Sequence, residues 1–143
     1  MRTFHIILIL VVSEFILTDN CTGQNNPKLL PDAEQVMLKA TKFMVEKVST
    51  NGGFLWYYTP DFSRQWGELE ATKTMIWLQD PGTTLVGNVL LDAYKTTGNE
   101  YYYQAAVKAA NAIIYGQSKE GGWNYLIDFA GDRSLKNWYN TVG

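Results

Sequence analysis

Hydrophobic residues recur every three to four positions in three stretches of the chain, and this spacing predicts three amphipathic helices. They are expected over about residues 32–48, 84–97 and 100–115. Because only Gly98 and Asn99 separate the last two, these should form an antiparallel hairpin. The first helix should bury one face, formed by Val36, Met37, Ala40, Phe43, Met44 and Val48. The third should bury the stripe formed by Tyr102, Ala105, Ala106, Ala109, Ala112 and Ile113.

Two segments outside these helices begin with paired glycines followed by aromatic residues. One starts at Gly52-Gly53-Phe54 and the other at Gly121-Gly122-Trp123, 69 positions later. Arg64 and Arg133 are separated by the same 69 positions. We interpret this as a degenerate internal repeat in which helical units alternate with a Gly-Gly-aromatic loop. Such units cannot bury their apolar faces alone, so they need neighbours in a solenoid or a closed ring.

Residues 67–82 alternate in polarity rather than following the helical period. We therefore expect an extended segment that pairs with residues 54–58 and forms short β-hairpins at one rim of the helices. The fold class predicted from these patterns is mainly α, with helical hairpins, aromatic Gly-Gly loops and a few short strands.

The N-terminus is typical of a secretory signal peptide over residues 1–23, because Arg2 precedes an apolar run that ends in polar and small residues. The run is shorter than the about 20 apolar residues of a membrane-spanning helix, so no membrane span is expected after cleavage. Residues 24–31 are predicted to be a linker, and residues 32–143 the folded domain. The protein should be secreted or periplasmic, with lipid anchoring at Cys21 as the alternative.

Composition and charge narrow the possible chemistry. The chain of 143 residues has a formal charge of −2, one His and one Cys. Both His5 and Cys21 lie in the predicted signal peptide, so the mature chain would lack Ser-His-Asp or Cys-His catalysis, His/Cys zinc sites and disulfides. Lys and Arg residues form no cluster, which argues against nucleic acid as a partner.

The motifs Asn51-Gly52-Gly53-Phe54 and Gly121-Gly122-Trp123 resemble the repeated Asn-Gly-Gly-aromatic loops of the family-ten pectate lyases, also called pectic acid lyases. The resemblance covers about residues 33–143 and implies an (α/α) toroid, here incomplete. It also implies cleavage of an acidic polysaccharide, polygalacturonate, by calcium-assisted β-elimination. The family's calcium ligands and catalytic arginine are expected beyond Gly143, so we expect a fragment that lacks the C-terminal helical hairpins and whose catalytic residues are unknown.

The two arginines that follow the aromatic loops are candidates for bidentate binding of a substrate carboxylate. These are Arg64 and Arg133, and they are the only arginines after the predicted signal peptide. The alternative is an ion pair that anchors the loop, for which the nearby carboxylates are Asp61, Glu68, Asp128 and Asp132.

Aromatic and acidic side chains in the same segments provide the remaining candidates. Four residues are candidates for stacking on sugar rings, or else for packing in the core: Trp56, Trp66, Trp123 and Tyr125. Three carboxylates are candidate calcium ligands, or else a solvated acidic loop: Asp61, Glu68 and Glu70.

Two further functions stay open at this point. A toroid of the glycoside hydrolase or terpene-cyclase type would use paired carboxylates, for which Asp61, Glu68 or Asp128 are available. A non-catalytic sugar-binding or structural protein would use the aromatic loops alone.

Overall fold

A computed structural model describes residues 27–142, which are mainly helical with a few short antiparallel strands. The helices of this part are α1 (Leu29–Phe43), α2 (Thr83–Thr97), α3 (Glu100–Tyr115) and α4 (Asp132–Val142). Its strands are β1 (Tyr57–Tyr58), β2 (Gln65–Trp66), β3 (Glu70–Ala71), β4 (Met75–Trp77) and β5 (Leu126–Asp128). From Ala33 onward the described residues form one compact unit, and the packing described below lies within it. The predicted signal peptide, with His5 and Cys21, lies outside the described residues.

Helix α1 begins at Leu29, three residues before the predicted start at about residue 32 and within the segment predicted as a linker over residues 24–31. Pro31 is tolerated there because the first helical turn needs no backbone donor. After Phe43 the chain continues in a π-helical turn, Met44–Val48, which confirms the predicted end of this helical stretch.

The predicted buried face of α1 is largely wrong. Val48 is buried as expected and Val45 is buried in addition, but five of the six predicted core residues are exposed: Val36, Met37, Ala40, Phe43 and Met44. An open apolar groove of about 330 Å³ is lined by Met37 and Met44 together with Val89, so these residues have no neighbour that covers them.

Helices α2 and α3 form the predicted antiparallel hairpin. Gly98 ends α2 in the left-handed conformation, with φ of 67°, and the side chain of Asn99 caps α3 by accepting from the backbone N–H of Tyr101 at 3.0 Å. The Tyr94 and Tyr103 rings, near the connection, lie 5.3 Å apart. The predicted α3 stripe is buried at five of its six positions: Tyr102, Ala105, Ala106, Ala109 and Ala112.

The strands form two small antiparallel sheets, one of β1, β2 and β3 and one of β4 and β5. Residues 67–82 contain extended segments as predicted, but the predicted pairing with residues 54–58 is wrong. Strand β4 pairs with β5, with Ile76 opposite Ile127 and Met75 opposite Asp128. One backbone bond, from Trp77 N to the Phe54 carbonyl at 2.9 Å, joins β4 to the expected partner.

The β4–β5 pair is buried on both faces, and this explains its partner. Ile76 and Ile127 pack on Ala112 of α3. The opposite face, formed by Met75, Trp77 and Leu126, packs with Trp138 of α4. Two strands that each bury both faces are stabilised more by each other than by the half-exposed β1. The arrangement places Asp128, the last residue of β5, beside the first turn of α4.

Candidate functional site at the end of strand β5

A cavity of about 380 Å³ lies where the end of α3, the second Gly-Gly loop, β5 and the start of α4 meet. Its volume falls within the range of small-molecule sites in proteins, about 300–1,000 Å³. The polar and aromatic side chains that matter for its chemistry are Tyr115, Lys119, Asn124, Asp128 and Asp132.

Asp128 is the distinctive residue of this cavity, because its carboxylate is buried, with only 5% of the residue exposed. Thr74, in the loop before β4, donates its hydroxyl to Oδ1 at 2.7 Å, and the Ala130 backbone N–H donates to the same oxygen at 2.9 Å. The second oxygen, Oδ2, is buried and has no hydrogen-bond partner within residues 27–142. A buried carboxylate oxygen without a donor is costly.

Two other buried polar atoms of the described chain also lack a partner, the Trp77 indole nitrogen and the Tyr102 hydroxyl. Neither residue lines the cavity, and neither carries a charge at neutral pH. Of these three residues, Asp128 is therefore the one that both is acidic and lines the cavity.

The second Gly-Gly loop is shaped by hydrogen bonds at its base. Ser118 N donates to the Gly122 carbonyl at 2.8 Å, and the Gln117 amide donates to the Gly121 carbonyl at 3.0 Å. Trp123 folds back on α3 and donates its indole N–H to the Ile113 carbonyl at 2.8 Å. These bonds hold one wall of the cavity while leaving the loop surface exposed.

One aromatic side chain lines this cavity, and two others lie in the segment between the second Gly-Gly pair and β5. Tyr115, the last residue of α3, lines it and stacks on Phe129 with ring centroids 4.7 Å apart and an interplanar angle of 25°. Of the predicted stacking residues, Trp123 is 44% and Tyr125 is 64% exposed, so both present ring surface to solvent. Sequence reasoning missed Tyr115, because at its position nothing distinguishes it from the other helical tyrosines.

The other two predicted stacking residues are engaged elsewhere. Trp56 is half-buried, lies with its ring 5.7 Å from that of Trp77, and donates its indole N–H to the Gln79 carbonyl at 2.9 Å. Trp66 is also half-buried, with the Arg64 guanidinium 4.9 Å from its ring centre. For these two tryptophans the structure favours the packing alternative.

Arg64 forms an ion pair rather than an open carboxylate site. Its Nε and Nη2 atoms each donate to one oxygen of Glu70 at 2.7 Å. The hydrogen bonds and charge of this pair raise the pKa of Arg64 and lower that of Glu70. The ion-pair alternative therefore holds for Arg64, although its partner is Glu70 and not one of the four carboxylates named from the sequence. The strand register explains this partner. Glu70 lies opposite Trp66, and Arg64 is two residues before Trp66 and so on the same face of the sheet.

The three predicted calcium ligands are not gathered into a common group. Within residues 27–142, no three His, Cys, Asp or Glu side chains are placed to hold a metal ion. Asp61 accepts from the N–H and hydroxyl of Ser63 at 3.1 and 2.8 Å, and Glu70 binds Arg64, while Glu68 is exposed. Calcium binding stays a prediction.

Arg133 is exposed in the first turn of α4, directly after the cavity residue Asp132. The two predicted arginines therefore differ in their contacts. Arg64 is paired with Glu70, whereas Arg133 is exposed and follows a cavity residue in the chain.

Comparison of the chain with protein-family models, with curated proteins and with solved structures finds no match. In the part of the chain that the structure describes, no helix is both long and apolar enough to cross a membrane.

Proposed function

We propose that this is an exported carbohydrate-active protein that holds a sugar unit in the cavity beside Asp128. The observation that carries the proposal is the buried Asp128 carboxylate. Its Oδ1 accepts hydrogen bonds from Thr74 and Ala130, and its Oδ2 has no hydrogen-bond partner in the described part of the chain. A sugar hydroxyl is a neutral donor that satisfies such an oxygen.

The surroundings of Asp128 support a sugar over other small ligands. A sugar ring offers hydroxyl groups around its edge and an apolar C–H surface on its face. The Asn124 amide and the Lys119 ammonium are donors for further ring oxygens, and Tyr115 provides aromatic surface in the same cavity. Trp123, directly before Asn124 in the chain, presents a half-exposed ring. This combination of a few polar groups with flanking aromatic rings is common in ligand sites.

The resemblance to pectate lyases extends the proposal to an acidic polysaccharide, cleaved by calcium-assisted β-elimination within an (α/α) toroid of which this chain forms part. Arg133 fits the role of carboxylate partner better than Arg64, because Arg64 already donates from Nε and Nη2 to the carboxylate of Glu70. In this form of the proposal Asp128 binds sugar hydroxyls, and Arg133 neutralises a neighbouring uronate.

Binding is tested by affinity electrophoresis of the full chain in gels that contain polygalacturonate or a neutral polysaccharide. Retardation by at least one polymer is expected, with Asp128→Asn weakening it about tenfold because the substituted amide replaces a charged acceptor. The matched control is Asp92→Asn, which removes an equal charge from the exposed surface of α2. Equal retardation of the two variants, with both folded by circular dichroism, would contradict the proposal.

Cleavage is tested by incubating the chain with polygalacturonate, with and without Ca²⁺. Ultraviolet absorbance from unsaturated chain ends that depends on Ca²⁺ would establish the lyase form. Release of reducing sugar without that absorbance would indicate hydrolysis instead. Retardation in the gel without either product would assign a binding protein.

A further inference from the structure

A second cavity, of about 210 Å³, lies on another part of the molecule and is lined by two lysines. Lys47 comes from the π-helical turn after α1, and Lys73 from the loop between β3 and β4. The hydroxyl of Thr50 donates to the Lys73 carbonyl at 3.0 Å, and this bond brings the loop of Lys73 to the end of the π-helical turn.

The two lysines lack an opposing charge. Neither forms an ion pair within residues 27–142, and the described lining of the cavity contains no acidic residue. The nearest acids along the chain are engaged elsewhere, since Glu46 accepts a hydrogen bond from Tyr101 at 3.0 Å and Glu70 binds Arg64. Both lysines are exposed, and two cations that line one small cavity attract an anion.

Tyr58 adds a neutral donor to the same cavity. Its hydroxyl oxygen accepts from the Leu55 N–H at 2.7 Å, which leaves the O–H proton available for a further acceptor. Burial raises the pKa of Tyr58, so the proton stays on this hydroxyl at neutral pH. The hydroxyl of Ser49, by contrast, donates to the Val45 carbonyl at 2.7 Å.

We propose that this cavity binds a small oxyanion, with Lys47 and Lys73 supplying positive charge and Tyr58 donating a hydrogen bond. Phosphate, sulfate and carboxylate groups share the required chemistry, since each offers several anionic acceptor oxygens. The volume suits one such group and not a polymer. This site is separate from the Asp128 cavity and does not depend on the proposed carbohydrate function.

The test is calorimetric titration of the full chain with inorganic phosphate, sulfate and acetate, each at constant ionic strength set with chloride. Saturable binding of at least one oxyanion is expected, and the preferred one distinguishes a tetrahedral anion from a carboxylate. Lys47→Gln and Lys73→Gln should each weaken that binding about tenfold.

The matched control is Lys136→Gln, which removes the same charge from an exposed position on α4 that lines neither cavity. It should change the affinity less than twofold. Absence of saturable binding for all three oxyanions would overturn the proposal. An equal loss in Lys136→Gln would also overturn it, because the effect would then come from net charge and not from this cavity.

Discussion

The two Gly-Gly-aromatic loops have similar sequences but occupy opposite environments. In the first loop, Phe54 is 2% exposed and packs among residues of α1, α2 and α3. In the second, the matching Trp123 is 44% exposed and turns toward the end of α3. The first copy of the motif therefore forms part of the core, while the second copy is exposed and lies next to residues that line a surface cavity.

The difference arises from what surrounds each pair of glycines. A Cβ on Gly53 would lie 2.4 Å from a methyl carbon of Ile76, and a Cβ on Gly52 would lie 2.7 Å from the Lys108 backbone. The second pair is open, with nothing within 4 Å of a Cβ on Gly121. Glycine is thus required in the first loop by close approach of the backbone, and at Gly121 by its φ of 86° alone.

The largest effect should come from truncating the aromatic residues of the two loops. Phe54→Ala empties a fully buried position and should lower the free energy of unfolding by about 3–5 kcal/mol. Trp123→Ala removes a half-exposed ring and one hydrogen bond, and should cost about 1 kcal/mol. Urea unfolding followed by circular dichroism measures both. Equal losses would show that the two loops are equivalent in the core.

The glycines provide a second pair, matched in backbone conformation, since φ is 88° at Gly52 and 86° at Gly121. Gly121→Ala should cost about 1–2 kcal/mol, from backbone strain alone. Gly52→Ala adds a collision with the Lys108 backbone and should cost about 3 kcal/mol or more. A Gly52→Ala variant no less stable than Gly121→Ala would contradict the close packing of the first loop.

The features that the sequence predicts correctly are those set by neighbours along the chain. Gly98 and Asn99 mark the hairpin connection because one adopts a left-handed conformation and the other caps a helix, and both effects act within a few residues. The alanine stripe of α3 follows from helical period in the same way.

The errors concern partners distant in sequence. Ile76 pairs with Ile127, and Thr74 binds Asp128 across 54 positions, which no local pattern indicates. The sequence shows Asp128 as an acid near the second loop. Its burial depends on the pairing of β5 with β4, which no local pattern indicates. The predicted buried face of α1 is a further error, since no residue of Leu29–Phe43 is buried. A helical period does not indicate whether a neighbour covers the apolar face.

A smaller effect is expected from the hydroxyl that holds Asp128. Thr74→Val removes the donor to Oδ1 while keeping the side-chain shape, and should lower the free energy of unfolding by about 1.5–3 kcal/mol. The matched variant Thr141→Val removes a hydroxyl whose bond goes to the neutral Trp138 carbonyl, and about 1 kcal/mol is expected. Urea unfolding separates the two. A Thr74→Val loss no larger than that of Thr141→Val would argue against a charged, buried Asp128.

The smallest effect concerns Asp61, the exposed acid that follows the first loop. Hydrogen bonds from the Thr59 hydroxyl, and then from the amide and hydroxyl of Ser63, lower the pKa of Asp61 from 3.8 to about 2. Because the folded pKa lies below the unfolded one, this contribution to stability is complete above pH 4 and is lost as the pH falls toward 2. Carbon-detected NMR titration of the Asp61 carboxyl should give a midpoint near 2, and Ser63→Ala should move it toward 3.8. A wild-type midpoint near 3.8 would show that Ser63 and Thr59 do not hold the Asp61 carboxylate. Of the two aspartates that follow the Gly-Gly loops, only Asp128 would then be fixed by hydrogen bonds.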